Sequence, residues 1–198
     1  MPKPVLLIAA AARSKPIRRL VLLLSALSLV TGLSILAPLV AIPLTIAAGT
    51  PGIDGPLVVG EWGYPLAGDY TKADGFGPRN VVGCAYCSKS HRGYDMYQEC
   101  GATVYAAGPG RVIRAGAWDS FGNAVEIDHG GGVVTIYGHM MWGSLKVAEG
   151  QQVVAGTRIG LEGETGVATG CHVHFEIRIN GTAVDPEPFM ATLGLPLE

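Results

Sequence analysis

The sequence predicts an all-β domain, a compact antiparallel sandwich or barrel-like structure, preceded by an apolar N-terminal helix. Three observations carry this expectation. After residue 50 the chain is a succession of short apolar runs separated by turn residues. Glycine supplies 29 of the 198 residues. No amphipathic helical pattern appears in that stretch. Many short strands with frequent turn signals favour sheet packed on sheet over helical layers.

Taken in order, residues 1–19 form a basic segment. Five of the 14 Lys and Arg lie there: Lys3, Arg13, Lys15, Arg18 and Arg19. The next segment, "LVLLLSALSLVTGLSILAPLVAIPLTIAAG" (20–49), carries no charge. About 20 apolar residues cross a bilayer, and a flanking basic cluster stays on the cytoplasmic side. The remainder is therefore expected outside the cytoplasm. Two readings of the helix stand: an uncleaved transmembrane anchor with a cytoplasmic N-terminus, or a signal sequence cleaved near "TIAAG" that leaves a secreted protein. Signal-peptide apolar cores run about 7–15 residues, which favours the anchor. Residues 50–72 read as a Gly- and Pro-rich linker, 73–190 as the folded domain and 191–198 as a C-terminal tail.

All 16 acidic residues lie at Asp54 or later, against nine basic ones, so the exported part carries a net charge of −7. That excludes an ordinary nucleic-acid-binding role, which depends on Lys and Arg neutralising phosphates. The four cysteines, Cys84, Cys87, Cys100 and Cys171, suit disulfides in an oxidising compartment. They allow three pairings, and spacing alone does not choose.

Strands follow from about Thr103. "TVYAAGPGRVIRAGAW" gives two around a Gly-Pro-Gly turn, and "NAVEIDHGGGVVTIYGHM" gives a hairpin. "SLKVAEGQQVVAGTRIGLEG" gives two short strands, and "HVHFEIRING" gives one closed by Asn-Gly. No internal repeat is visible. In the last strand residues two apart share a face. Val173, Phe175, Ile177 and Ile179 form an apolar core face, while His172, His174 and Glu176 look toward a cleft or solvent. Two imidazoles about 6–7 Å apart on one strand face suit one shared metal, or one ligand beside one proton carrier. "HRGYD" adds His91 and Asp95, and "YGHM" adds His139. Histidine and aspartate are zinc ligands, and three protein ligands with an open fourth position is the catalytic zinc arrangement.

"FGPR", "HRGYD", "YGHM" and "TGCHVHFEIRINGTAVDP", in that order, resemble the lysostaphin-type (LytM-like) zinc metallopeptidases, which cut peptide bonds in bacterial cell walls. The resemblance spans about residues 73–190 and includes the Gly-rich "VAEGQQVVAGTRIG". It implies that His91, Asp95 and His174 bind Zn2+ and that His139 and His172 are the catalytic pair beside it. The substrate it implies is the stem peptide or cross-bridge of peptidoglycan. One of the two histidines would take a proton from water, and either, once protonated, would stabilise an oxyanion. Glu176 reads either as a carboxylate orienting a histidine or as a solvent-exposed strand residue. Arg79 is similar to a family position near the substrate groove and equally suits a surface role. His129 reads as a turn residue.

Many relatives carry proline where this chain has Cys100 and Cys171. A Cys100–Cys171 disulfide would tie two zinc-site segments together and leave Cys84 to Cys87. Two rival readings are weaker. "CAYCSKSH" with Cys100 would form a structural zinc site, but it would take His91 from the catalytic set. A catalytically silent wall-binding or activator module would be expected to have lost ligands, and none is missing.

Overall fold

The computed structural model describes residues 55–80, 82, 85 and 87–197. The basic segment and apolar helix expected over 1–49 lie outside these residues, and so does Cys84. Among the described residues no helix is long and apolar enough to cross a membrane.

Among the described residues the domain is mostly β, and every strand pairing is antiparallel. The strands are β1 (Val58–Val59), β2 (Trp62–Gly63), β3 (Thr71–Asp74), β4 (Gly77–Pro78), β5 (Ser90–His91), β6 (Tyr94–Tyr97) and β7 (Thr103–Tyr105). They continue with β8 (Gly110–Trp118), β9 (Gly122–Asp128), β10 (Val133–Met140), β11 (Gln152–Val153), β12 (Arg158–Leu161), β13 (Val173–Ile179) and β14 (Thr182–Val184). One eight-stranded sheet dominates, in the order β11-β8-β9-β10-β13-β6-β3, with β14 also on β13. The expected two-layer sandwich is present only in reduced form. Its second layer is the two-stranded ribbon β7–β12, whose Val104 and Ile159 share one apolar cluster with the large sheet.

Alternation decides which face of the large sheet is core. Val173, Phe175 and Ile177 of β13, Tyr94 and Met96 of β6 and Tyr137 of β10 are fully buried in that cluster. Each such side chain contributes about 1.5–3 kcal/mol on leaving water. Ile179, at the strand end, is exposed instead. The Asn180–Gly181 turn after β13 has both residues at positive φ, 51° and 80°, as a two-residue hairpin requires. Asp95, His174 and Glu176 fall on the opposite face.

Ordered structure extends beyond residues 73–190 at both ends. Leu66 of the expected linker and Leu195 and Leu197 of the expected tail are buried in the core. A short helix, α1 (Pro186–Thr192), precedes them. The Asp185 side chain caps it by accepting from Glu187 N, and Pro186 opens its first turn. Both are standard helix-start devices.

Candidate active site

Two neighbouring strands set the centre of the site. In the β6–β13 ladder Asp95 lies directly opposite His174. Asp95 Oδ1 is 2.8 Å from His174 Nδ1 and 3.0 Å from His91 Nε2. The two ring nitrogens are themselves 2.9 Å apart. Gly93 permits this. A Cβ there would sit 2.6 Å from Phe175 O and 2.7 Å from His174 Cε1, so the chain between His91 and Asp95 can approach β13 only without a side chain. All three site residues are buried.

The protons on these groups are held from behind. His91 Nδ1–H donates to Gly75 O at 2.7 Å, which leaves Nε2 with a lone pair. His174 Nε2 faces Glu176 Oε2 at 3.6 Å, too long for a hydrogen bond, and both atoms are buried without one. Glu176 is fully buried and held by Arg178 Nε at 3.0 Å, so the solvent-exposed reading of this residue is wrong. Burial opposes ionisation of Asp95, but the hydrogen bonds and charge of His174, with the hydrogen bond of His91, hold its carboxyl well below the usual range. Burial would likewise pull His174 down, yet the carboxylates of Asp95 and Glu176 raise it to about 9. Where a cation displaces the Nδ1 proton of His174 and leaves the other on Nε2, toward Glu176, Nδ1 presents a lone pair as well. Two imidazole lone pairs and an anionic carboxylate oxygen then converge with no proton between them. A cation satisfies such a donor set.

His139 is the next-to-last residue of β10, at a bulge where the β9–β10 register shifts between Tyr137 and Met140. Strict alternation after core-facing Tyr137 would turn His139 into the core. A left-handed backbone (φ 62°) redirects it, as bulges beside functional sites do. Its Nδ1–H donates to Thr165 O at 2.7 Å. His172 precedes β13, and its Nδ1–H donates to Gly170 O at 2.8 Å. The two rings lie 4.7 Å apart, and in each it is Nδ1, not Nε2, that meets the backbone carbonyl. Burial, with the charges of His172 and His174, pushes His139 down to about 4.

A groove of about 570 Å³ lies over this cluster, and Thr71, Ala73 and residues 167–171 are among those that line it. Cys100 and Cys171 line it and are disulfide-bonded, as expected. Cys87 lines it too and is disulfide-bonded, but its expected partner Cys84 lies outside the described residues. Arg79 also faces the groove, with Nη1 2.8 Å from Asp74 Oδ2 and 3.5 Å from Asp95 Oδ2. His129 is set apart from the cluster. Its Nδ1–H donates to Pro109 O at 2.7 Å, its Nε2 meets the Thr135 hydroxyl at 2.7 Å, and that hydroxyl meets Tyr137 Oη. Sequence reasoning passed over Asp74 and Thr165, whose side chain or carbonyl holds a site residue. Neither carries a local signal that separates it from other loop residues.

The profile of peptidase family M23 matches residues 89–186, from just before His91 to just past β14, and the lysostaphin catalytic domain from Staphylococcus simulans is 32% identical with 92% of it covered. The chain belongs to this family. Among M23 relatives, the peptidoglycan DD-endopeptidase ShyA of Vibrio cholerae is 34% identical over 62% of this chain and 28% of its own. The DD-carboxypeptidase/endopeptidase Mpg of Neisseria meningitidis is 42% identical over 48% of this chain and 22% of its own. The match to the lysostaphin domain covers 62% of this chain, with a TM-score of 0.55. The chain thus spans under a third of these two curated relatives but nearly all of an isolated M23 catalytic domain.

Proposed function

We propose that this M23 protein is a zinc-dependent endopeptidase that hydrolyses peptide bonds in peptidoglycan, acting outside the cytoplasm as an anchored or secreted enzyme. The observation that carries the reading is the convergence of His91 Nε2, Asp95 Oδ1 and His174 Nδ1 within 2.8–3.0 Å, with two further imidazoles beside them. In this reading those three atoms hold Zn2+. When bound, zinc supplies a Lewis acid that acidifies water and polarises a peptide carbonyl.

The remaining work falls to the chain. His139, held neutral by burial and its neighbours, accepts the proton from water at Nε2. His172 Nε2 lies 3.6 Å from Asp95 Oδ2 and, once it holds a proton, donates toward the oxygen on which negative charge develops. Gly170 O and Thr165 O fix the two rings so that Nε2 of each faces the groove.

The test uses purified, zinc-loaded protein and intact peptidoglycan, and measures newly freed amino groups with and without a zinc chelator. Chelator-sensitive release is expected. H139A and H172A are expected to keep zinc yet lose release by about 10²-fold or more. No release from several wall types, with zinc confirmed bound, would overturn the reading in favour of a catalytically silent binding module.

A further inference from the structure

Both ligand atoms contributed by the first half of the site trace back to one pair of residues at its edge. Asp74 Oδ1 accepts from Gly75 N at 2.9 Å, and the carbonyl of that same Gly75 receives the His91 Nδ1 proton. Asp74 Oδ2 accepts from Arg79 Nη1 at 2.8 Å, and Nη1 leans 3.5 Å from Asp95 Oδ2. The guanidinium is itself anchored, since Arg79 Nε donates to Ser88 O at 3.0 Å and Arg79 N to Lys89 O at 2.9 Å. The two Asp95 oxygens are thus divided. Oδ1 faces the two imidazoles, while Oδ2 faces Arg79 and His172. The β3–β6 register, which sets Asp74 opposite Asp95 across a bulge, brings the pair there.

We propose that Asp74 and Arg79 act as a single clamp that positions two of the three metal ligands. Asp74 holds the Gly75 N–H and, through that single residue, steadies the Gly75 carbonyl that orients His91. Arg79 holds Asp95 Oδ2 away from the metal, so that Asp95 ligates through Oδ1 alone. The Asp74 charge offsets the Arg79 charge, so the clamp adds no net positive field beside the cation. Both are positioning residues, and the inference rests on the zinc reading above.

Zinc affinity of the full-length protein, measured by competition with a chromogenic chelator, tests this without reference to turnover. Replacing a partner that orients a metal ligand typically costs 10–100-fold in affinity. R79M and D74A are each expected to fall in that range, with D74A lower because it releases both ligands. D74N, which keeps an acceptor for Gly75 N–H, is expected to lose less, and R79K, which keeps one charge, is expected to recover part of the loss. The Co2+-loaded R79M protein should show weaker visible absorption, as Asp95 becomes free to bind through both oxygens and the coordination number rises. Chelator-stripped melting temperatures of all four variants control for misfolding. Wild-type affinity in R79M and D74A, or losses that track the stripped melting temperatures, would overturn the clamp alone. Failure of the wild-type protein to bind zinc would overturn the metal reading and the clamp with it.

Discussion

Replacing Cys100 and Cys171 together by alanine should lower stability substantially while leaving zinc affinity nearly intact. The bond closes a loop with a sequence separation of 71. The chain-entropy relation gives about 15 cal/mol/K for such a loop, or about 4 kcal/mol at 25 °C. Little else should change energetically, since Cys100 is exposed and Cys171 half-buried, so truncation leaves no sealed cavity. The strands that flank the bond pair on their own, with Val173 opposite Met96, so the native ends remain together without it. For a domain of this size 1 kcal/mol moves the melting temperature by about 2–4 °C, and a fall of about 10 °C is expected by calorimetry. Turnover should fall more than zinc affinity, because the segment ending at Cys171 carries the Gly170 carbonyl that orients His172. A melting temperature within about 2 °C of wild type would refute the entropic argument. A zinc affinity that fell as far as turnover would refute the separation between strand-held and loop-held residues.

Gly93→Ala should cost about 1–3 kcal/mol in urea unfolding, the usual range for forcing atoms into a packed site, and should weaken zinc binding as well. Its Cβ meets Phe175 O and the His174 ring, and wild-type behaviour in both assays would show that the two strands can separate freely. Tyr137→Phe should cost a further 1–3 kcal/mol or so with an unchanged m-value, because the fully buried Tyr137 hydroxyl is the partner of Ala107 N at 2.7 Å. Glu162 is buried, and burial is the main cause that raises its carboxyl to about 7. The unfolded chain then binds fewer protons than the folded one between about pH 4.5 and 7, so this group makes stability fall as pH rises through that window. Glu162→Gln should remove that fall and raise the melting temperature at pH 8, and an equal loss of stability in both proteins from pH 5 to 8 would count against it.

Residues whose roles follow from a strand period or from a local motif were legible in the sequence. Alternation in 172–179 placed His174 and Glu176 opposite Val173, Phe175 and Ile177, and Asn180–Gly181 forms the expected turn. What escaped depends on contacts between distant segments. Glu176 is exposed or buried according to what lies over its face of the sheet, and Arg178 beside it already carried the charge that makes burial tolerable. His129 is the turn residue its Asp and glycine neighbours suggested, closing the β9–β10 turn through His129 N to Val133 O, but the contacts of its ring with Pro109 and Thr135 were not legible. Helix α1 was written in "DPEP" as a capping Asp before a first-turn Pro, but seven residues are too few for an apolar period to stand out. The clamp of Asp74 and Arg79 rests on a bulge between β3 and β6, which no spacing rule foretells.

The site divides according to what holds each residue, and the division has a physical reason. His174 and Asp95 project from paired strands, where ladder hydrogen bonds fix backbone spacing and leave little freedom to lose. A cation needs its donors at nearly constant separation whatever the substrate does, so the most rigid part of the sheet is the fitting place for them. In the proposed function His139 and His172 have a different task, since each would take up or release a proton and so would have to tolerate a change of charge. Both are oriented by backbone carbonyls, Thr165 O and Gly170 O, which accept from Nδ1 in either protonation state and leave Nε2 free to change. A carboxylate in those positions would bind the imidazolium too tightly, as Asp95 and Glu176 do for His174. In the proposed mechanism the pair that moves protons is therefore held by neutral dipoles, while two of the three metal ligands, Asp95 and His174, are built into the large sheet and the third, His91, comes from the β4–β5 ribbon.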